Sequence, residues 1–168
     1  MTRSDLLQLV EQAFPFVPRP PESEISFHED ECAHCEMSRK GLMKYPSTAT
    51  ELPPAAMKFV WDEWSTLSPK AAAWVLPSYL RYVLRIEDQA RNQHLPPGTI
   101  EFFISSLTPF PGAEGDADEI RLRLSLLTPR QVAVLLAMLD YWKNHPVWSR
   151  FIGEESDAAF VFLSAMKE

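Results

Sequence analysis

His28, Cys32, His34 and Cys35 place four soft metal ligands within eight residues, and they include both cysteines of the chain and two of its four histidines. Imidazole nitrogen and thiolate sulfur are the donors that tetrahedral Zn2+ prefers, and Cys-x-x-Cys is a natural bite for it. His28 stands four residues before Cys32, one turn away if the stretch is helical. The fourth ligand is open among His34, Asp30, His94, His145 and water, with His34 the nearest in sequence. Glu29, Asp30, Glu31 and Glu36 surround the thiols; their charge would raise the thiol pKa values in the metal-free state and attract a divalent ion. A structural zinc site normally draws two ligand pairs from two separated segments, and no second Cys or His pair occurs elsewhere.

Other chemistries need more than this cluster offers. A dithiol redox centre calls for a low-pKa cysteine at a helix N-terminus following a strand, whereas acidic residues precede Cys32 and no strand is legible there. A zinc deaminase needs His-x-Glu well separated from Pro-Cys-x-x-Cys, but here His28-Glu29-Asp30 runs almost directly into Cys32. His-Glu-x-x-His, Gly-x-Ser-x-Gly and a phosphate-cradling glycine loop do not occur, and nothing selects a Cys-His catalytic pair with His94 or His145. The bland alternative is that both cysteines pack as small apolar residues while the histidines hydrogen-bond locally.

The elements that must position the cluster read as helices. Leu6, Leu9, Val10 and Ala13 recur at helical spacing, with Thr2 and Asp5 to cap the start and Pro15 to stop it. Four prolines between Pro15 and Pro21 make the next segment extended, delivering the chain to the His/Cys stretch. Cys32 to about Lys44 is a weakly apolar helix with both cysteines on one face, and Pro46 to Pro54 is a linker. Ala56, Phe59, Val60, Glu63, Trp64 and Leu67 mark an amphipathic helix, after which Ser68-Pro69 is an N-cap with proline at the first helical position. Pro77 predicts a kink or break in the aromatic-rich helix that follows. A helix from Thr99 buries Ile100, Phe103, Ile104 and Leu107, and Thr108 to Asp118 is an acidic loop, a candidate for a mobile element.

Ile120, Leu122, Leu124 and Leu126 alternate with polar residues as a strand would; with no second strand to pair with, a short helix using Ile120, Leu124 and Leu127 is the better reading. Thr128-Pro129-Arg130-Gln131 is a capping box opening a helix to Lys143, and a last helix from about Ser156 turns Ala159, Phe160, Leu163 and Met166 inward. The expectation is an all-α fold: a single compact domain spanning residues 1–168, with six to eight helices and a Pro-rich, His/Cys-containing segment over residues 15–54.

Composition agrees, with 46% hydrophobic and 23% charged residues, and 15 prolines against 5 glycines. A net charge of −7 and a pI near 5.1 argue against nucleic acid as the main partner, since phosphate binding needs a basic surface. Acidic clusters at Glu29–Glu31, Glu114–Glu119 and Glu154–Asp157 would suit a basic protein partner or a cation. The N-terminus lacks a signal-peptide core, and the longest apolar run, Val132 to Leu139, is far short of a membrane span. A cytoplasmic location and reduced thiols are therefore expected. Of five tryptophans, Trp61 lies off the apolar stripe of its helix and Trp148 sits in a short connection, which makes these two the candidates for a partner-binding patch.

His28-x-x-x-Cys32-x-x-Cys35-Glu36, then the run Ala73-Trp74-Val75-Leu76-Pro77-Ser78-Tyr79-Leu80, then Leu127-Thr128-Pro129-Arg130-Gln131 opening a helix to Leu139-Asp140-Tyr141-Trp142, resembles the bacterial family numbered 6714 among domains of unknown function. The resemblance covers Leu6 to Trp142 and implies a small bacterial cytosolic domain, with no activity or catalytic residue to carry over. It also implies a shorter linker than Pro46 to Pro54. Two functional expectations follow. One is a non-catalytic protein-binding module, such as an immunity-type or antitoxin-like inhibitor of a basic partner; the other is a zinc-binding protein or zinc-dependent enzyme built on His28, Cys32 and Cys35.

Overall fold

The computed structural model describes residues 1–28, 32–90, 99–110, 112, 115–146, 148–150 and 152–166, without the side chains of residues 58, 61, 87–90 and 99. Among these residues the architecture is all-α: α1 (Arg3–Ala13), α2 (Ala33–Leu42), α3 (Pro54–Glu63), α4 (Pro69–Ala90), α5 (Thr99–Ser105), α6 (Asp116–Arg123), α7 (Pro129–Lys143) and α8 (Gly153–Ala165). No described helix is long and apolar enough to cross a membrane.

Local chemistry sets the starts. Thr2 and Asp5 close a reciprocal capping box on α1, and Thr128 with Gln131 closes another on α7, where the two bonds measure 2.8 and 3.3 Å. Ser68 accepts the N–H of Ala71 at 3.1 Å ahead of Pro69. Burial then selects the centre of the fold. Ala71, Trp74, Val75, Leu76, Tyr79, Leu80, Val83 and Leu84 are all buried, so α4 is apolar on nearly every side and must be surrounded; α1, α3 and α6 pack on it. α7 packs between α1 and α8, and α5 rests on α3 and α8. Tyr79, Phe103 and Trp142 stack as tilted and edge-on rings 5.6 and 5.8 Å apart where these helices converge.

Two expectations are corrected and a third is met. Pro77 does not break α4, which continues to Ala90; buried packing on both sides of the proline outweighs its missing hydrogen bond. The last helix starts at Gly153 rather than about Ser156, and it buries Phe162, leaving Phe160 42% exposed. Its inward stripe is Ser156, Ala159, Phe162 and Leu163, and Phe160 falls about 100° off that line. The expected short helix over the alternating stretch is present, from Asp116 to Arg123, with Ile120 and Leu124 buried and Leu122 and Leu126 exposed.

Arginines brace the Pro-rich segment and its flanks: Arg19 from within, and Arg81 and Arg123 through the Phe16 and Phe27 rings. Arg19 donates through Nη1 to the carbonyls of Met43 (2.9 Å) and Tyr45. Buried Arg81 reaches the carbonyls of Pro77 at 2.6 Å and Phe14 at 3.0 Å with its guanidinium over the Phe16 ring. Buried Arg123 donates to the carbonyls of Leu67 (3.3 Å) and Ser65 (2.6 Å) and lies over the Phe27 ring at 5.3 Å. Burial pulls both guanidinium pKa values down, and nearby carboxylates oppose the shift. Arg123→Ala is expected to destabilise the fold by about 2–3 kcal/mol, because two carbonyls lose a charged donor and Phe27 loses its cover. Urea unfolding followed by circular dichroism measures it; a change within about 0.5 kcal/mol, the range of ordinary surface substitutions, would contradict this account.

Candidate metal centre

The cluster assembles where an irregular segment meets a helix start. Ile25 is buried in the core, and Ser26 forms an isolated antiparallel bridge with Leu67. Phe27 N–H donates to Thr66 O at 3.0 Å and Ser68 N–H to Ile25 O at 3.0 Å, so the chain leading to His28 is held against the turn Trp64–Thr66. On the other side Arg39 of α2 donates from Nη1 to Ser26 Oγ (2.6 Å) and His28 O (2.7 Å). α2 is positioned in turn by Ser38, whose hydroxyl donates to His34 O at 2.9 Å and lies 2.7 Å from Thr66 Oγ1. Gly41 makes the α2–α3 approach possible: a Cβ there would stand 2.6 Å from the Phe59 ring.

Cys32 is the N-cap of α2, in extended conformation, and its sulfur accepts the N–H of Cys35 at 3.3 Å. A sulfur here takes the place that a hydroxyl or carboxylate usually fills, facing the free N–H groups of the first turn. Cys35 lies one turn further, fully buried. His28 is exposed and brings Nδ1 to 3.4 Å from Cys35 Sγ. The ligand atoms of His28, Cys32 and Cys35 all lie within 4.8 Å of one another. Zn–S bonds of about 2.3 Å and Zn–N bonds of about 2.0 Å put neighbouring ligand atoms of a tetrahedral ion about 3.5–3.8 Å apart, so small side-chain adjustments would bring the three onto one ion.

The two thiols differ electrostatically. A hydrogen bond from the Cys35 side chain, then the Cys35 backbone N–H, holds the Cys32 thiol below the usual cysteine range, aided by the His34 N–H and the charge of Arg39. Burial pushes the Cys35 thiol up, and the neighbouring Cys32 sulfur adds to the shift. The expectation that acidic neighbours raise both thiols is therefore corrected for Cys32, which the donors at the helix start hold down. Glu36 is occupied with Lys40 on the solvent side.

His34, the fourth residue of the sequence-derived set, is not brought to the cluster. Its Nδ1 lies 3.3 and 3.4 Å from the carboxylate oxygens of buried Glu63, where it ties α2 to α3. His145 sits beyond the end of α7 with its ring 5.7 Å from that of Tyr141. Asp30 and His94, named as alternative ligands, lie outside the described residues, as do Glu29 and Glu31. Trp148 is half-buried and packs on the edge of the core, while the side chain of Trp61, on α3, lies outside the description. Sequence reasoning missed Arg39, Ser26 and Glu63. Arg39 had a usable signal, standing four residues after Cys35 on the same helical face.

No family model matches the chain, and neither a curated protein nor a solved structure matches it at a significant level. The site must be judged on its own chemistry: one imidazole and two thiols, a donor set whose two thiolates would neutralise a divalent ion. In metal-free protein, iodoacetamide is expected to alkylate Cys32 first, with a half-maximal pH below the ~8.5 of a free thiol, while Cys35 reacts above it. Peptide mass mapping across a pH series checks this; equal rates would remove the asymmetry.

Proposed function

We propose that the protein is a zinc-binding helical domain in which His28, Cys32 and Cys35 hold one ion that fastens the segment Ile25–His28 to the N-terminus of α2. The observation that carries the reading is the convergence of these three ligand atoms within 4.8 Å. Support comes from their positioning shell. Arg39 fixes the His28 carbonyl, the helix start favours Cys32 as thiolate, and Cys35 is held inside the protein. Metal would join two stretches of chain that otherwise meet through a few hydrogen bonds, and its binding free energy would add to folding.

Protein purified without a metal-affinity tag is expected to carry one zinc per chain by elemental analysis. Cys32→Ala/Cys35→Ala and His28→Ala should lose or weaken that zinc, and His34→Ala should retain it. Zinc at 100 times its dissociation constant contributes about 2.7 kcal/mol, so chelation should lower Tm by roughly 5–10 °C. Metal-free protein with a melt insensitive to both zinc and chelator would overturn the reading.

A second reading, a non-catalytic module that docks a basic protein partner, draws on the segment between α5 and α6. Phe110 is 73% exposed, its N–H bonded to Asp116 at 2.5 Å, and Thr108 just before it reaches Glu155 O at the start of α8 at 3.3 Å. An exposed apolar ring beside the acidic first turn of α6, in a segment tied to the acidic start of α8, fits a cationic surface carrying an apolar socket. Capture from a cell lysate should yield a basic protein that Phe110→Asp releases and high salt weakens; unchanged capture by the variant would exclude this face.

A further inference from the structure

We propose that Cys32 and Cys35 form a reversible intrachain disulfide on exposure to a peroxide, and that its formation ejects the ion and leaves His28 without its sulfur partners. The ejection step rests on the zinc reading above; the disulfide does not. Both cysteines are free thiols, they are the two cysteines of the chain, and their sulfurs are no more than 4.8 Å apart. Exchange within the pair is therefore the short route, and a mixed disulfide would require a second molecule.

The roles of the two thiols follow from access. Cys32 is half-exposed at the first position of the helix start, so a small oxidant reaches it, while Cys35 is fully buried one turn below. The Cys35 N–H already points at the Cys32 sulfur, at 3.3 Å, and steadies it as an anion. The Cys32 thiolate attacks one oxygen of hydrogen peroxide, the O–O bond breaks, and hydroxide leaves to become water with one proton. The Cys32 sulfenic acid is then attacked by the Cys35 sulfur; the S–O bond breaks, the S–S bond forms, and a second water departs with the Cys35 proton. The two sulfurs lose two electrons and the peroxide gains them. A dithiol reductant reverses the step by thiol–disulfide exchange.

A disulfide removes two of the three ligands at once, because neither sulfur then carries the charge that a zinc ion requires. His28 stays in place through the loss, since its carbonyl is held by Arg39 at 2.7 Å and its segment by the Ser26–Leu67 bridge, neither of which involves sulfur. The site is thereby ready to re-form on reduction.

The test treats full-length protein, metal-free and zinc-loaded, with equimolar hydrogen peroxide, and follows intact mass, free thiols and zinc release to a chromogenic indicator. The expected result in the metal-free arm is loss of two hydrogens and of both thiols, restored by dithiothreitol, with a Cys32–Cys35 crosslink in the non-reduced peptide map. In the loaded arm, one zinc is expected to leave per disulfide formed. Cys35→Ser should stop at a Cys32 sulfenic acid trapped by dimedone; the wild-type mass measurement stands whether or not this variant folds. Added oxygen atoms without crosslink, or chain-to-chain dimers in place of the intrachain bond, would overturn the proposal, and zinc retained through the crosslink would overturn ejection. If the metal-free arm crosslinks and no zinc is ever retained, the zinc reading fails while the disulfide stands.

Discussion

The short backbone bridge between Ser26 and Leu67 is the constraint on which the candidate site depends. Its two hydrogen bonds are each worth about 1 kcal/mol net, too little to organise a segment of this length unaided. They succeed because their strands of chain are already immobilised. Ile25 and Leu67 are both fully buried, Arg123 from α6 supports one side, and Arg39 from α2 clamps the other. The bridge converts hydrophobic burial on the core side into a fixed position for an exposed histidine on the other.

Helix starts were the most legible part of the sequence, because a cap is written in adjacent residues. Thr128 and Gln131, Ser68 and Pro69, and Thr2 with Asp5 each carry the whole interaction within a few positions. Where a choice depended on neighbours distant in sequence, legibility fell. The alternation from Ile120 to Leu126 resolved to helix only through the argument that a lone strand has no partner. Phe160 and Phe162 are equally apolar, and the packing of α8 on α7 and α5 decides which one is covered. Pro77 shows the reverse case: a strong local signal overruled by packing around α4.

For the site, residue type and spacing identified three ligands and overreached on the fourth. His34 and Cys35 are adjacent in sequence, yet consecutive residues on a helix diverge by about 100°, and His34 is carried away to Glu63 on α3. The electrostatic reading failed for a related reason. Counting charges near Cys32 suggested a raised pKa, but the donors that matter are backbone N–H groups, which exist as an oriented set only after α2 has formed. Composition cannot display them.

The arginine fastenings of the Pro-rich segment have a consequence for dynamics. Apart from Pro20, Ile25, Leu42 and Leu52, the described residues between Pro15 and Pro53 bury little aliphatic surface, and polar and ring contacts carry much of the attachment to the later helices: Phe16 under Arg81, Phe27 under Arg123, Glu24 with Lys70 and Glu51 with Arg85. Such an attachment opens as a unit, at a lower free energy than the apolar packing of α4 and α7. Solvent exposure of Cys35 is then governed by a sub-global opening equilibrium, and hydrogen exchange in α2 would report on that opening separately from the stability of the bundle beneath it.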